Sequence, residues 1–421
     1  ERSALVEAAE QLSQALAQIA TLPSTSDLRR EQIVLHVALL NTLMHVKGYG
    51  APETKAAGAQ VRALIEQAER LGENPDDPSL LLSALFGQWI VNFINFNGDV
   101  AQGLAARFLA LGEKDGTAVP RMIGHRTMGS TLALIGNLVD AKAHYDEALA
   151  LYRPAEHRRL MTRFGQDLRV TCLAFRSMAS WLLGYPETAL EDADRALMEA
   201  RQIEHAATLM FTLNFPILIN TYCGNYHAAN EHLKELVALA EEKGAPFRKA
   251  EGVLRRGYIL TLTGAANAVE IVTSGIDLWR SAGSTIFTPE QEFMLAIAHA
   301  DSGQFDDAWR CIDKAMTAMH ATRERWCEAE AHRVAGEIAL KSPQRDVAKA
   351  QAYFEHAVTI AREQQAKAWE LRAAMSLAQL LSDQGKRQAA RDLLAPIYDW
   401  FTEGFDTSDL RKAKALLGEL R

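Results

Sequence analysis

Positive charge gathers in one part of this sequence. Arg153, His157, Arg158, Arg159, Arg163, Arg169 and Arg176 fall in or beside the segment RPAEHRRLMTRFGQDLRV at residues 153 to 170. Within it, Arg163-Phe164-Gly165-Gln166-Asp167 sets a glycine between a guanidinium and a carboxylate. Guanidinium groups grip carboxylates and phosphates through paired hydrogen bonds. Arg158, Arg159, Arg163, Gln166, Asp167 and Arg169 are therefore the candidate contacts for an acidic partner segment or a small anionic ligand. The competing reading is architectural: Asp167 caps the following helix and pairs with a neighbouring arginine, and the arginines form a solvated basic elbow.

Other chemistry is sparse. GxxxxGK[ST], GxGxxG, HExxH and GxSxG do not occur, so no catalytic residue, metal ligand or cofactor site is assigned. His227 and His232, five apart, lie about 140° round a helix and cannot chelate from one face. His45, His125, His205, His299 and His356 read as packing or surface histidines. Cys172, Cys223, Cys311 and Cys327 have no CxxC spacing and read as reduced core thiols. Asp306 and Asp307, or Glu191, Asp192 and Asp194, belong to first helical turns, where negative charge complements the helix dipole. Glu330, Arg333 and Glu337 share one helical stripe and form a ladder of side-chain pairs.

The net charge of −8 and pI near 5.9 supply no field drawing the chain to nucleic acid or anionic lipid. No run approaches the roughly 18 uninterrupted apolar residues of a membrane span, and residues 1 to 20 lack a signal-peptide pattern. A cytoplasmic protein without nucleic-acid or membrane partners is the expectation. Since the chain starts at Glu1 without an initiator Met, a fragment of a longer polypeptide is also expected.

The elements that hold these residues repeat. Gly136 and Ala141, Gly184 and Ala189, Gly224 and Ala229, Gly303 and Ala308, and Gly385 and Ala390 each keep an offset of five. Mostly small residues stand seven before the glycines and seven after the alanines. Short side chains allow two antiparallel helices to approach, and a glycine supplies the left-handed turn between them. Tyr145 and Phe354 are second-helix aromatics, and weaker copies pass through Gly257 with Gly264 and through Gly336, Ala350 and Ala357. Turns at 50, 98, 136, 184, 224, 264, 303, about 342 and 385 give a period of about 40 rather than the 34 of the standard tetratricopeptide repeat.

This pattern predicts an all-α, right-handed superhelical solenoid of about nine tetratricopeptide-like helix pairs. It divides into N-terminal pairs over 1–97, central repeats over 98–400 with the insertion at 153–170, and a capping helix over 401–421. Residues 71–79 form a proline-punctuated loop, and Pro216 should kink its helix. Because each repeat of a solenoid contacts its neighbours alone, an open, elongated particle is expected.

The blocks GYGAPE (48–53), FGQDLRVTCLAFRSMASWLLGYPETAL (164–190), ERWCEAEAHRVAGEIAL (324–340) and LRAAMSLAQLLSDQGKRQAARDLLAPIYDWFTEGFDTSDLRKAKALL (371–417) resemble a known group. It is the C-terminal repeat region of bacterial signalling proteins that carry a class III adenylate or guanylate cyclase domain and an AAA-type ATPase. The Trp400-Phe401-Thr402-Glu403-Gly404-Phe405-Asp406 exit is the most specific part. The resemblance implies a non-catalytic regulatory arm that binds a protein partner or small anionic ligand in its superhelical groove and controls attached cyclase or ATPase domains. A stand-alone interaction scaffold and the sensor arm of a transcriptional regulator are the alternatives.

Overall fold

The structure, a computed structural model, describes residues 2–23, 25–46, 50–72 and 78–421. Gly48 and Tyr49, and 73–77 of the proline-punctuated loop, lie outside the described residues. Among the described residues every regular element is helical. Helix α1 (Arg2–Ile19) leads into the pairs α2 (Ser26–Val46) with α3 (Pro52–Arg70), α4 (Pro78–Ile94) with α5 (Gly98–Asp115), and α6 (Ala118–Ile135) with α7 (Leu138–Leu151). The insertion adds the single turns α8 (Pro154–His157) and α9 (Met161–Phe164), joined by a 3-10 turn. There follow α10 (Leu168–Leu182) with α11 (Pro186–Ile203), α12 (Ala206–Cys223) with α13 (Tyr226–Glu242), and α14 (Pro246–Leu262) with α15 (Ala268–Ser281). The last pairs are α16 (Thr288–Asp301) with α17 (Phe305–Thr322), α18 (Glu328–Lys341) with α19 (Val347–Glu363), and α20 (Lys367–Asp383) with α21 (Arg387–Asp399), before α22 (Ser408–Glu419).

The turn glycines act as their spacing predicts. Gly136, Gly184, Gly224, Gly303 and Gly385 all have positive φ, between 76° and 95°. Each is followed by a residue whose N–H reaches back to the last helical turn, as Asn137 N does to Leu132 O at 2.9 Å and Lys386 N to Leu381 O at 2.9 Å. Gly98 departs from the expectation: it opens α5, capped by the Asn97 side chain, and the positive φ of that turn belongs to Phe96. The helix around Pro216 runs on as α12, with the Asn220 side chain donating to Pro216 O at 2.9 Å. That helix has the length and hydropathy of a membrane span, and 83% of it is buried inside the fold.

The array is not open. Loops between pairs in the C-terminal half dock on turns in the N-terminal half. Thr285 N and Ile286 N donate to Ile94 O at 3.1 and 2.9 Å, and Arg325 N and Trp326 N donate to Leu134 O at 2.8 and 3.1 Å. The register continues with Thr188 bonded to Glu403, 215 residues away. It ends where Gly224 meets Ser408, 184 residues on. Dividing such separations by the period of about 40 gives about five repeats per superhelical turn, with successive turns in direct contact. The accessible surface of 17922 Å² compares with about 16,000 Å² for a compact monomer of this mass. The expectation that repeats meet their neighbours alone is thus corrected.

The docked loops also fill the axis. Trp89 and Phe93 stack at 4.5 Å, Phe175 meets Phe215 edge-on at 5.0 Å, and Trp181 packs on Tyr222 and Trp369 at 4.6 and 4.8 Å. Ile286 and Phe287 complete the lining of a cavity of ≈ 60 Å³ inside the N-terminal turn, room for a few water molecules. Concave space of ligand size remains toward the C-terminal mouth.

Candidate functional site

Three inner helices build that mouth. On α18, Glu330, Arg333 and Glu337 fall at i, i+3 and i+7 and share one face. On α20, Arg372, Ser376 and Gln379 fall at i, i+4 and i+7 and likewise share a face, and α22 adds Asp409, Lys412 and Glu419. With Tyr222 and Tyr226 they enclose a cleft of ≈ 500 Å³. A further ≈ 330 Å³ continues past Arg333 and Glu337 toward Asp301 and Lys341.

Its charges are held in a chain. Arg333 donates through Nε and Nη2 to both oxygens of Glu330, at 2.8 and 2.9 Å, and through Nη1 to Glu337 at 3.3 Å. Ser376 Oγ donates to Glu337 at 2.7 Å. Arg372 Nε donates to Asp409 Oδ2 at 2.6 Å and Nη2 to Tyr222 O at 3.0 Å. The Arg372 guanidinium also lies 5.0, 5.2 and 5.6 Å from the ring centroids of Trp369, Trp181 and Tyr222, an aromatic enclosure suited to a cation. Burial works against charge on Glu330, yet Arg333 and Arg372 outweigh it and hold the carboxyl below its usual range. Burial likewise opposes the charge on both arginines, and their carboxylate partners more than restore it.

Both signs of charge thus stand at fixed spacing, beside hydroxyl and amide groups suited to peptide N–H and C=O. The α18 ladder was legible as a stripe. Arg372 and Asp409 were not, because they join it from helices about 40 and 80 residues on.

The insertion residues take separate positions. Asp167 caps α10 by accepting from Val170 N at 3.1 Å, and also accepts from the Tyr152 hydroxyl at 2.5 Å. Arg169 forms a two-point ion pair with Glu199 at 2.8 and 3.1 Å, and Arg163 Nε donates to Ser83 Oγ. Gln166 is buried and lines the small inner cavity, whereas Arg158 and Arg159 are exposed. The six candidates do not converge on one pocket.

Among the described residues no three or more metal-binding side chains stand together. The four cysteines are buried and unpaired, and burial pushes the Cys172, Cys223 and Cys311 thiols up to about 12.

No protein-family model matches the sequence, nor does any curated protein. Solved structures do match its shape. A Rap protein complexed with Competence and Sporulation Factor shares 13% identity at a TM-score of 0.60, over 93% of this chain and 100% of that one. The apo quorum sensor NprR from B. thuringiensis shares 13% at 0.50, over 88% and 98%. The Rap conjugation gene regulator of plasmid pLS20, in complex with a Phr peptide, shares 11% at 0.50, over 91% and 95%. The likeness establishes a tetratricopeptide-like helical solenoid.

Proposed function

We propose that this chain is a non-catalytic binding module that takes a short extended segment of a partner polypeptide into the cleft between α12, α18, α20 and α22. The cleft carries the reading: ≈ 500 Å³ open to solvent, with Arg333, Arg372, Glu330 and Glu337 along its floor. Two of the similar solved structures add support, since one was determined with a Phr peptide and another with Competence and Sporulation Factor. Control of an attached cyclase or ATPase domain is supported by the sequence resemblance. A stand-alone scaffold or a transcriptional sensor arm would use the same cleft with a different output.

Panning a random peptide library on the immobilised chain tests the reading. Enriched peptides should bind Ser376→Trp and Arg333→Ala at least about tenfold more weakly, about 1.4 kcal/mol. They should bind Met198→Ala, altered at an exposed side chain on α11, like the parent. Peptides indifferent to Ser376→Trp would place the site elsewhere. The insertion is a second reading: Arg158 and Arg159, at the surface, would receive an acidic segment, and exchanging both for Glu would abolish that docking alone.

A further inference from the structure

His125 on α6 and His144 on α7 stand with their Nδ1 atoms 2.9 Å apart and their ring centroids 5.0 Å apart. Helix approach brings them together. At Gly129, one turn beyond His125, a Cβ would lie 2.8 Å from Tyr145 Cε1, so the absence of a side chain lets α6 and α7 close. His144 precedes Tyr145 and is carried onto His125. Both rings are half-buried, and Glu147, Asp140 and Glu113 lie within their electrostatic reach, as does Arg121.

Metal–imidazole bonds are about 2.0–2.1 Å long, so two nitrogens on one ion stand about 2.9 Å apart at a right angle and about 3.3 Å apart at the tetrahedral angle. The observed separation equals the first and is a small side-chain rotation from the second. Without metal, the contact needs one ring to carry its proton on Nδ1 and the other to be bare there. When an ion binds both Nδ1 atoms, that proton moves to Nε2 of the same ring, each imidazole stays neutral, and no net proton is released.

We propose that His125 and His144 chelate a divalent first-row transition cation through their two Nδ1 atoms, with water in the remaining positions. Imidazole nitrogen suits Zn²⁺, Ni²⁺ and Cu²⁺ rather than Mg²⁺ or Ca²⁺. The histidine of the first helix recurs in the same repeat phase. His332 lies four residues before Gly336, as His125 does before Gly129, and a Cβ at Gly336 would collide with Phe354. His356 packs edge-on to His332 at 4.4 Å, and His332 Nδ1 is buried with no hydrogen-bond partner. His356 follows Phe354 by two residues whereas His144 precedes Tyr145, so the second pair is built differently and its nitrogens do not meet as those of His125 and His144 do.

Calorimetric titration of the EDTA-treated full chain with Zn²⁺, Ni²⁺ and Cu²⁺ tests the assignment. Tight binding of one equivalent is expected, strongest for Cu²⁺. Affinity should fall at least about tenfold in His125→Ala and in His144→Ala. His227→Ala should bind like the parent. The electron paramagnetic resonance spectrum of the Cu²⁺-loaded parent reports coordinated imidazole nitrogen without recourse to any variant. Two such nitrogens are expected. A spectrum with none, or parent-like affinity in a folded His144→Ala, overturns the proposal.

Discussion

Glu403 accepts hydrogen bonds from the Thr188 N–H at 2.9 Å and the Thr188 hydroxyl at 3.1 Å, across 215 residues of chain. The contact is reciprocated, since Glu187 accepts from Gly404 N at 2.7 Å. Thr188 lies in the first turn of α11, where N–H groups have no intrahelical acceptor, so a carboxylate from the next superhelical turn satisfies a helix end. The WFTEGFD exit, the most specific block of the sequence, is thereby given a physical role. It clasps one turn of the superhelix to the other.

Removing the clasp should cost what removing a helix cap costs. Glu403→Ala is expected to destabilise the chain by about 0.5–2 kcal/mol in urea unfolding, and Glu403→Gln by less, because its carbonyl oxygen still accepts. Unchanged stability in Glu403→Ala would show that the seam is held by its other hydrogen bonds and its aromatic packing without this carboxylate.

The turn glycines should divide into two classes. A Cβ at Gly184 would stand 2.7 Å from both Lys367 Cβ and Trp400 Cζ3, and one at Gly224 2.7 Å from Ser408 Cβ, whereas Gly264, Gly303 and Gly385 have nothing within 4 Å. All have positive φ. Substitution by Ala therefore carries the left-handed strain at every one, and overpacking in addition where the next turn presses. Gly184→Ala should lose about 1–3 kcal/mol more than Gly303→Ala. Equal losses would mean that the seam relaxes around the added methyl group.

That division marks what was legible in the sequence. The glycine–alanine phase recorded helix pairing because it is local and periodic. The seam joins residues such as Ile94 and Ile286, too far apart for any local spacing to record, and appears only once about five repeats have closed a turn. Asp167 illustrates the same limit at the candidate sites: its capping of α10 followed from the turn residues around it, but its bond to the Tyr152 hydroxyl did not. Among the cleft groups, the α18 ladder was visible as a stripe, while its completion by Arg372 and Asp409 required the tertiary fold.

The seam should respond to alkali. Glu324 lies in the loop before α18 and accepts from Phe287 N at 2.9 and 3.1 Å, and from Trp326 Nε1 at 3.3 Å. Burial pushes its carboxyl up to about 8, against those hydrogen bonds, and Glu290 adds a like charge. A carboxyl raised on folding leaves the native state holding more protons than the unfolded one, so its contribution is fully present below the unfolded value near 4.5. It is lost as pH rises through about 8. Glu324→Gln should flatten the fall in melting temperature between about pH 5 and 9. A parent-like slope in that variant would assign the alkaline loss to other groups.

The last turn should depend on one ion pair. Leu410 and Ala413 of α22 and Leu420 just beyond it are buried, and Arg411, Lys412, Lys414 and Glu419 are exposed, so the helix turns one apolar side to the array. Asp409 ties that cap to Arg372 at 2.6 Å, and Arg372 is bonded in turn to Tyr222 O in the preceding superhelical turn. Asp409→Ala leaves the guanidinium among Trp181, Tyr222 and Trp369 with Glu330 at 3.5 Å as its remaining carboxylate. A loss of about 1–3 kcal/mol is expected, the cost of leaving a largely buried polar group under-satisfied. Arg372→Met removes the charge while keeping the stem in its aromatic enclosure, so Asp409→Ala should cost much less in that background. A double-mutant cycle measures the difference as a coupling energy. A coupling near zero would mean that Arg372 is held by its three aromatic rings and the Tyr222 carbonyl, with α22 attached by its leucines alone.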